Sequence, residues 1–253
     1  TVLRHTLLSN MLDITAANAR HAERQLLFEI GHVYLPVAGQ QLPDEPGRLG
    51  IVMLGARGVP QWTGGSTPGV MDFFDLKGIA EELADYFRTE WTLAPCGDAT
   101  FQPGQAATIQ LDGAAAGRFG KVDQAVRINF DIEQDVYLLE LTVDPLLARA
   151  HAPAVFAAIP AFPPSRRDMA VLVDQGVPAG ALRETAARAG GNLLQSVTLF
   201  DVYAGTQIPS GKKSVALEFV FQSPERTLTD KDTQKAFERI LRALEKGHGV
   251  ELR

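Results

Sequence analysis

The sequence predicts an α+β protein in two parts, each built around an antiparallel sheet. Three observations carry this. Apolar residues recur with period two in several short runs and with helical period in others, without the regular strand–helix alternation of a parallel sheet. The charge balance changes along the chain: residues 1–158 hold 11 Lys+Arg against 19 Asp+Glu, residues 159–253 hold 13 against 11. Pro160, Pro163 and Pro164 fall within five residues in "AAIPAFPPSRRD", where they stop helix and favour extended chain. These place a linker near 152–163 and domains at 1–158 and 159–253.

In the first part, residues 1–20 are expected to be helical, with Leu3, Leu7, Met11 and Ile14 at helical spacing. "RQLLFEIGHVYLP" reads as a strand, and "GRLGIVMLGA" as a second, continuously apolar and therefore well-buried one. "DFFDLKGIAEELADYFRTEW" reads as a helix with Ile79, Leu83, Tyr86 and Phe87 on one stripe. "QAATIQLDGAAAGRFGKV" reads as a hairpin about Asp112–Gly113. "AVRINFDI" and "VYLLELTVDPLL" are expected to be further strands.

In the second part, Asp168–Asp174 reads as a strand. Pro178 opens a helix that ends at Gly190–Gly191, the expected polarity of the two residue types. "LLQSVTLFDVY" is a strand, and "SVALEFVFQ" another, with Val215, Leu217, Phe219 and Phe221 on one face. Thr229 or Asp230 caps a helix whose Phe237, Ile240, Leu241 and Leu244 share a face. Gly247 is expected to stop it, and "GVELR" is a short last strand. The order βαββαβ is that of a ferredoxin-like domain: one antiparallel sheet, both helices on one face, the other face open.

Composition limits the function classes. Of 253 residues, 45% are hydrophobic and 21% charged, ordinary for a globular protein. No run approaches the ~20 apolar residues of a membrane span, and no signal peptide is visible. The single cysteine, Cys96, has no disulfide partner and no zinc-site spacing; a reducing, cytoplasmic setting fits best.

Enzymatic signals are sparse. There is no GxxxxGK[ST] loop, and "GARGVP" and "GGSTPG" lack a strand–loop–helix context. His5, His21, His32, His151 and His248 stand at no metal spacing. Ser9, Ser66 and Ser165 lack a nucleophile elbow. Asp72 and Asp75 fall in a first helical turn, where the macrodipole favours anions. No catalytic residue, metal ligand or cofactor of its own is expected in this chain.

The cations of the second part are more informative. Arg166 and Arg167 precede its first strand, Lys212 and Lys213 its third, and Arg226 follows the third; Phe200 and Tyr203 lie at the end of the second. An open sheet with basic rims and aromatic rings is a way to take single-stranded RNA, with cations on phosphates and rings under bases. The fold also hosts ligand-sensing and dimerising domains. Phe200 as core and Tyr203 as a strand-end cap are the alternatives for the rings, and an Arg167–Asp168 ion pair for that arginine. Lys212 and Lys213, on a connection, are the better phosphate candidates.

Several stretches together carry a family resemblance. "FPPSRRDMAVLVD", "LFDVYAG", "IPSGKKSVALEFVFQ" and "RTLTD" resemble the C-terminal anticodon-binding domain of the bacterial phenylalanyl-tRNA synthetase β subunit. "LRHTLLSNML", "LFEIGHVY", "DFFDLKG", and "FQPGQAA" followed by "GRFG" resemble the same subunit's catalytic-like module. The resemblance covers nearly the whole chain, in family order. It implies a truncated class II synthetase-like antiparallel module followed by the ferredoxin-like domain. It implies work within an (αβ)₂ phenylalanine–tRNA ligase, a cytoplasmic heterotetramer that uses ATP and Mg2+, with chemistry on the α subunit. The implied partners are tRNA(Phe) and the α subunit, with neither membrane nor DNA. The module lacks catalytic residues: no arginine follows Phe28, where a catalytic copy would show Arg-x-Glu. The chain departs from the family at Gly120-Lys121-Val122-Asp123-Gln124, where members often carry Gly-x-x-His-Pro. A free-standing regulatory or scaffold protein that kept the fold and lost tRNA is the competing reading.

Overall fold

The computed structural model describes residues 2–59, 69–150, 156 and 159–253. The chain divides into two compact units, Thr1–Ala154 and Val155–Arg253; the expected linker at 152–163 lies partly outside the described residues, as do Ser66, His151 and most of "GGSTPG". Among the described residues no helix is long and apolar enough to cross a membrane.

The first unit is a six-stranded antiparallel sheet in the order β1(Gln25–His32), β2(Gly47–Leu54), β6(Tyr137–Thr142), β5(Ala114–Val122), β4(Phe101–Leu111), β3(Thr92–Pro95). The inner strands β2 and β6 are apolar on both sides because both sides are covered. On one side Ile51, Met53, Leu139 and Leu141 pack with Leu76 and Ala80 of α2(Phe73–Tyr86). On the other, Val52, Leu54 and Leu138 pack with Leu8, Met11 and Leu12 of α1(Leu8–Ala19). The β4–β5 turn is the expected two-residue hairpin: Asp112 and Gly113 both take positive φ, 52° and 79°, as a turn matched to strand twist requires.

Three expectations are corrected here. The opening helix begins only at Leu8. Before it the chain is tied to the sheet: Thr6 Oγ1 and the Leu7 amide both donate to Oε1 of buried Glu140, at 2.6 and 2.7 Å. The buried stripe of α2 is Leu76, Ala80 and Ala84, flanked by partly buried Ile79, Leu83 and Phe87, while Tyr86 is 79% exposed. "AVRINFDI" forms no strand. It folds as α3(Gln124–Asn129), because the Asp123 side chain accepts from the Ala125 amide at 2.8 Å and caps a helical turn; the departure from the family pattern at Asp123 thus has a local role. Ile128 is 62% exposed as a result, where a strand would have paired it. α4(Asp144–Leu147) follows β6.

The second unit is the expected βαββαβ arrangement: β7(Ser165–Asp174), α5(Ala179–Gly190), β8(Leu194–Tyr203), β9(Lys212–Phe221), α6(Asp230–His248), β10(Glu251–Leu252), with sheet order β10-β7-β9-β8 and every pairing antiparallel. One side of the sheet packs Met169, Val171, Val173, Val215, Leu217, Phe219 and Phe221 against Leu182 and Ala186 of α5 and Ala236, Ile240 and Leu244 of α6. Thr229 caps α6 in a reciprocal box with Asp232. Gly247 does not stop this helix; it continues to His248, and Gly249 ends it at φ 62°, where the left-handed backbone favours glycine.

Candidate nucleic-acid interface

The adjacent arginines at the start of β7 point to opposite sides of the sheet, because strand side chains alternate. Arg167 pairs with Phe219 in register, on the helix-covered side, and its Nη2 donates to Asp230 at 2.7 Å. It latches β7 to the first residue of α6. Its partner is Asp230, not the adjacent Asp168. Arg166 lies on the bare side and its Nη1 donates to Glu218 at 2.9 Å. Glu218 stands directly across from Asp168, so Arg166 offsets a like-charge cross-strand pair that would otherwise destabilise the sheet.

The two lysines divide the same way. Lys212 pairs in register with Asp174 on the bare side and its Nζ donates to Glu251 of β10; that hydrogen bond to the carboxylate raises the ammonium pKa. Lys213 pairs in register with buried Val173 and donates to the Gln175 carbonyl at 3.0 Å. Arg226 donates to Asp232 at 2.7 Å and joins the α6 capping box. That bond, with those from Thr229, holds the Asp232 carboxyl well below the usual carboxylate range. Phe200 sits at the β8 bulge and is 57% exposed; Tyr203, across from Ser214, is 39% exposed.

The seven candidates therefore do not form one cluster. Arg166, Arg167 and Arg226 sit at one end of the second unit, Lys212, Lys213 and Tyr203 at the other. Eight residue steps along β7 separate Arg166 from Asp174, the partner of Lys212, roughly 26 Å. Only Arg166, Tyr203 and Lys212 are placed by register on the bare side.

That side has a character the sequence reading did not anticipate. Its centre is uncharged, made of Ala170, Leu172, Ser214 and Ala216, with Ser214 buried and accepting from Arg253 Nη1 at 3.3 Å. Around it stand Arg166, Lys212 and Arg253 against Asp168, Asp174, Asp201, Glu218 and Glu251. The bare side is thus net acidic, and the basic excess of this half lies on the helix side and its outer surface. Asp201, Ser214 and Arg253 were missed; counting alternate residues outward from buried Val215 and Leu217 would have found Ser214.

In the first unit, Glu29 follows Phe28 and accepts from Arg4. Behind it, Arg118 links Asp98 and buried Glu140. Asp98 stays below the usual carboxylate pKa: burial alone would raise it, but hydrogen bonds from Thr100 and the Arg118 charge outweigh that. Arg57 donates to both Asp72 and Asp75 at the start of α2, where Asp72 caps the helix. Among the described residues no three His, Cys, Asp or Glu side chains gather to hold a metal.

Two family models match the chain in succession. "Phenylalanyl tRNA synthetase beta chain CLM domain" matches residues 1–143, and "Ferredoxin-fold anticodon binding domain" matches residues 160–253. Among curated relatives, the phenylalanine–tRNA ligase β subunits of Symbiobacterium thermophilum, Bacillus subtilis and Geobacillus kaustophilus are 37%, 37% and 38% identical. Each alignment covers 100% of this chain but only 28%, 32% and 32% of the relative. The chain therefore spans about a third of the length of the curated relatives it matches. A six-stranded antiparallel unit followed by a ferredoxin-fold unit, each matched in that order by its own model, makes this chain a member of the phenylalanyl-tRNA synthetase β-chain family.

Proposed function

We propose that the chain is the C-terminal part of a phenylalanine–tRNA ligase β subunit. In this reading residues 159–253 contact the anticodon region of tRNA(Phe). Residues 1–158 form a non-catalytic module that packs on the α subunit. The assembled cytoplasmic (αβ)₂ enzyme charges tRNA with phenylalanine using ATP and Mg2+, and no step of that chemistry is assigned to this chain.

One observation carries the reading: a four-stranded sheet with one side uncovered, in the unit matched by an anticodon-binding family model. The uncharged centre and acidic margin of that side suit base edges, whose amino groups donate to carboxylates, better than phosphates. Arg166, Phe200, Tyr203 and Lys212 are the candidates for direct contact. Arg167, Lys213 and Arg226 act by holding β7, the β7–α5 turn and the α6 cap. The non-catalytic part of the proposal is supported by the sheet side carrying Glu29, which α1 fills with Leu8, Met11 and Leu12.

Filter binding of the chain to tRNA(Phe), with and without its anticodon arm, tests the RNA contact, and co-purification tests the α subunit contact. Binding that depends on the arm, with charging only when α is added, is expected. Absence of both interactions would leave the free-standing scaffold reading in its place.

A further inference from the structure

We propose that the outer ridge of α6, made by Lys231, Lys235, Arg239, Arg242 and Lys246, is a phosphate-backbone contact for RNA, distinct from the bare sheet side. This deepens the reading of the chain as an RNA-contacting β-subunit segment and says where the phosphates go.

The spacing makes one stripe. Steps of four, four, three and four residues keep all five side chains on one helical face, away from the buried row Thr233, Ala236, Ile240 and Leu244. All five residues are exposed. Fifteen residues of α-helix rise about 22 Å, with about 6 Å between cations four apart, the same scale as the separation of successive phosphates along a nucleic-acid strand.

Pairing separates this ridge from four of the unit's other cations, though not from Arg183, Arg188, Lys213 and Arg253, which among the described residues also lack a carboxylate partner. Arg166, Arg167, Lys212 and Arg226 each have a carboxylate partner. Among the described residues, Lys231, Lys235, Arg242 and Lys246 have neither ion pair nor hydrogen bond. Arg239 is tethered to α5 through the Ala189 and Gly190 carbonyls, which fixes its position and leaves its charge uncompensated. The nearby Glu238 accepts from Gln234 instead.

Local electrostatics account for only part of the stripe: Glu238 stands four residues before Arg242 and three after Lys235, and Glu245 three after Arg242. A solvated helix gains from opposite charges at i,i+4 and loses from like ones, yet α6 sets like charges at 231/235, 235/239 and 242/246. Lys246 complements the C-terminal end of the macrodipole, but Lys231 stands in the first turn, where the dipole disfavours a cation. A bound polyanion relieves both repulsions. The net-acidic bare side would repel that same backbone.

The test is tRNA(Phe) binding across a salt series by the 253-residue chain and a variant carrying Lys231→Gln, Lys235→Gln, Arg242→Gln and Lys246→Gln. Glutamine keeps the helix propensity. The variant should bind at least about tenfold more weakly at low salt, with a log–log salt slope shallower by about three, from the loss of four phosphate contacts. Arg166→Gln with Lys212→Gln should change the slope less. In the unaltered chain, bound tRNA should protect Lys231, Lys235 and Lys246 from acetylation, a readout independent of variant folding. Unchanged slope and no protection, in a chain that binds tRNA, would overturn the ridge alone. Failure of the unaltered chain to bind tRNA at all would sink the function proposed above, and the ridge with it.

Discussion

The two sheets differ in how many of their sides are covered. In the first unit the central strand β6 buries Tyr137 through Leu141 without alternation, because α1 and α2 cover opposite sides. In the second, the central strand β9 buries Val215, Leu217, Phe219 and Phe221 completely on its helix side, while on the other side only the small Ser214 and Ala216 are buried and Glu218 and Val220 are partly covered. A sheet covered twice is a scaffold; a sheet covered once keeps a surface. Even Glu140, the one acid in β6, is used inward, accepting from Thr6, Leu7 and Arg118, whereas Glu218 in β9 holds an exposed arginine.

The largest effects should fall in the doubly covered sheet. Leu138 and Leu139 are both fully buried, on opposite sides, so Leu138→Ala and Leu139→Ala should each destabilise by about 2–5 kcal/mol in chemical denaturation. If one of the pair is tolerated, that side is not a packed core and the comparison fails. In β9 the same experiment should split: Leu217→Ala should cost a similar amount, while Glu218→Ala should cost at most about 1 kcal/mol, the range of exposed ion pairs.

A smaller effect is expected at the α6 cap. Thr229→Ala should cost about 1 kcal/mol, read as a lower midpoint for the second unit. The same cap has a pH signature. Asp232 is held below the ordinary carboxylate pKa by its bonds from Arg226 and Thr229. A depressed carboxylate contributes stability that is complete above the unfolded pKa, about 3.9, and is lost as pH falls further towards the folded value. Asp232→Asn should therefore flatten the acid limb of the stability profile below about pH 4. The smallest shift expected is that from Arg166→Ala, a surface pair, within about 0.5 kcal/mol.

Much of this was legible in the chain. The βαββαβ order followed from period-two runs and well-marked helix ends, and the Asp112–Gly113 hairpin from its turn residues. α3 was not legible: Val126, Ile128 and Phe130 alternate as a strand would, and one cap from Asp123 overrode them. The end of α6 was placed at the wrong glycine, because Gly247 and Gly249 offer the same signal and only backbone conformation separates them.

The sequence by itself determined the two antiparallel units, the family, and the existence of cations in the second half, since these depend on local period, turn chemistry and motif order. Tertiary structure decided what each cation does. Alternation sent Arg166 and Arg167, and likewise Lys212 and Lys213, to opposite sides, and carboxylates distant in sequence compensated Arg166, Arg167 and Lys212. Charge is counted along the chain, but its availability depends on which side of a sheet it faces and which group from another element lies within hydrogen-bond reach.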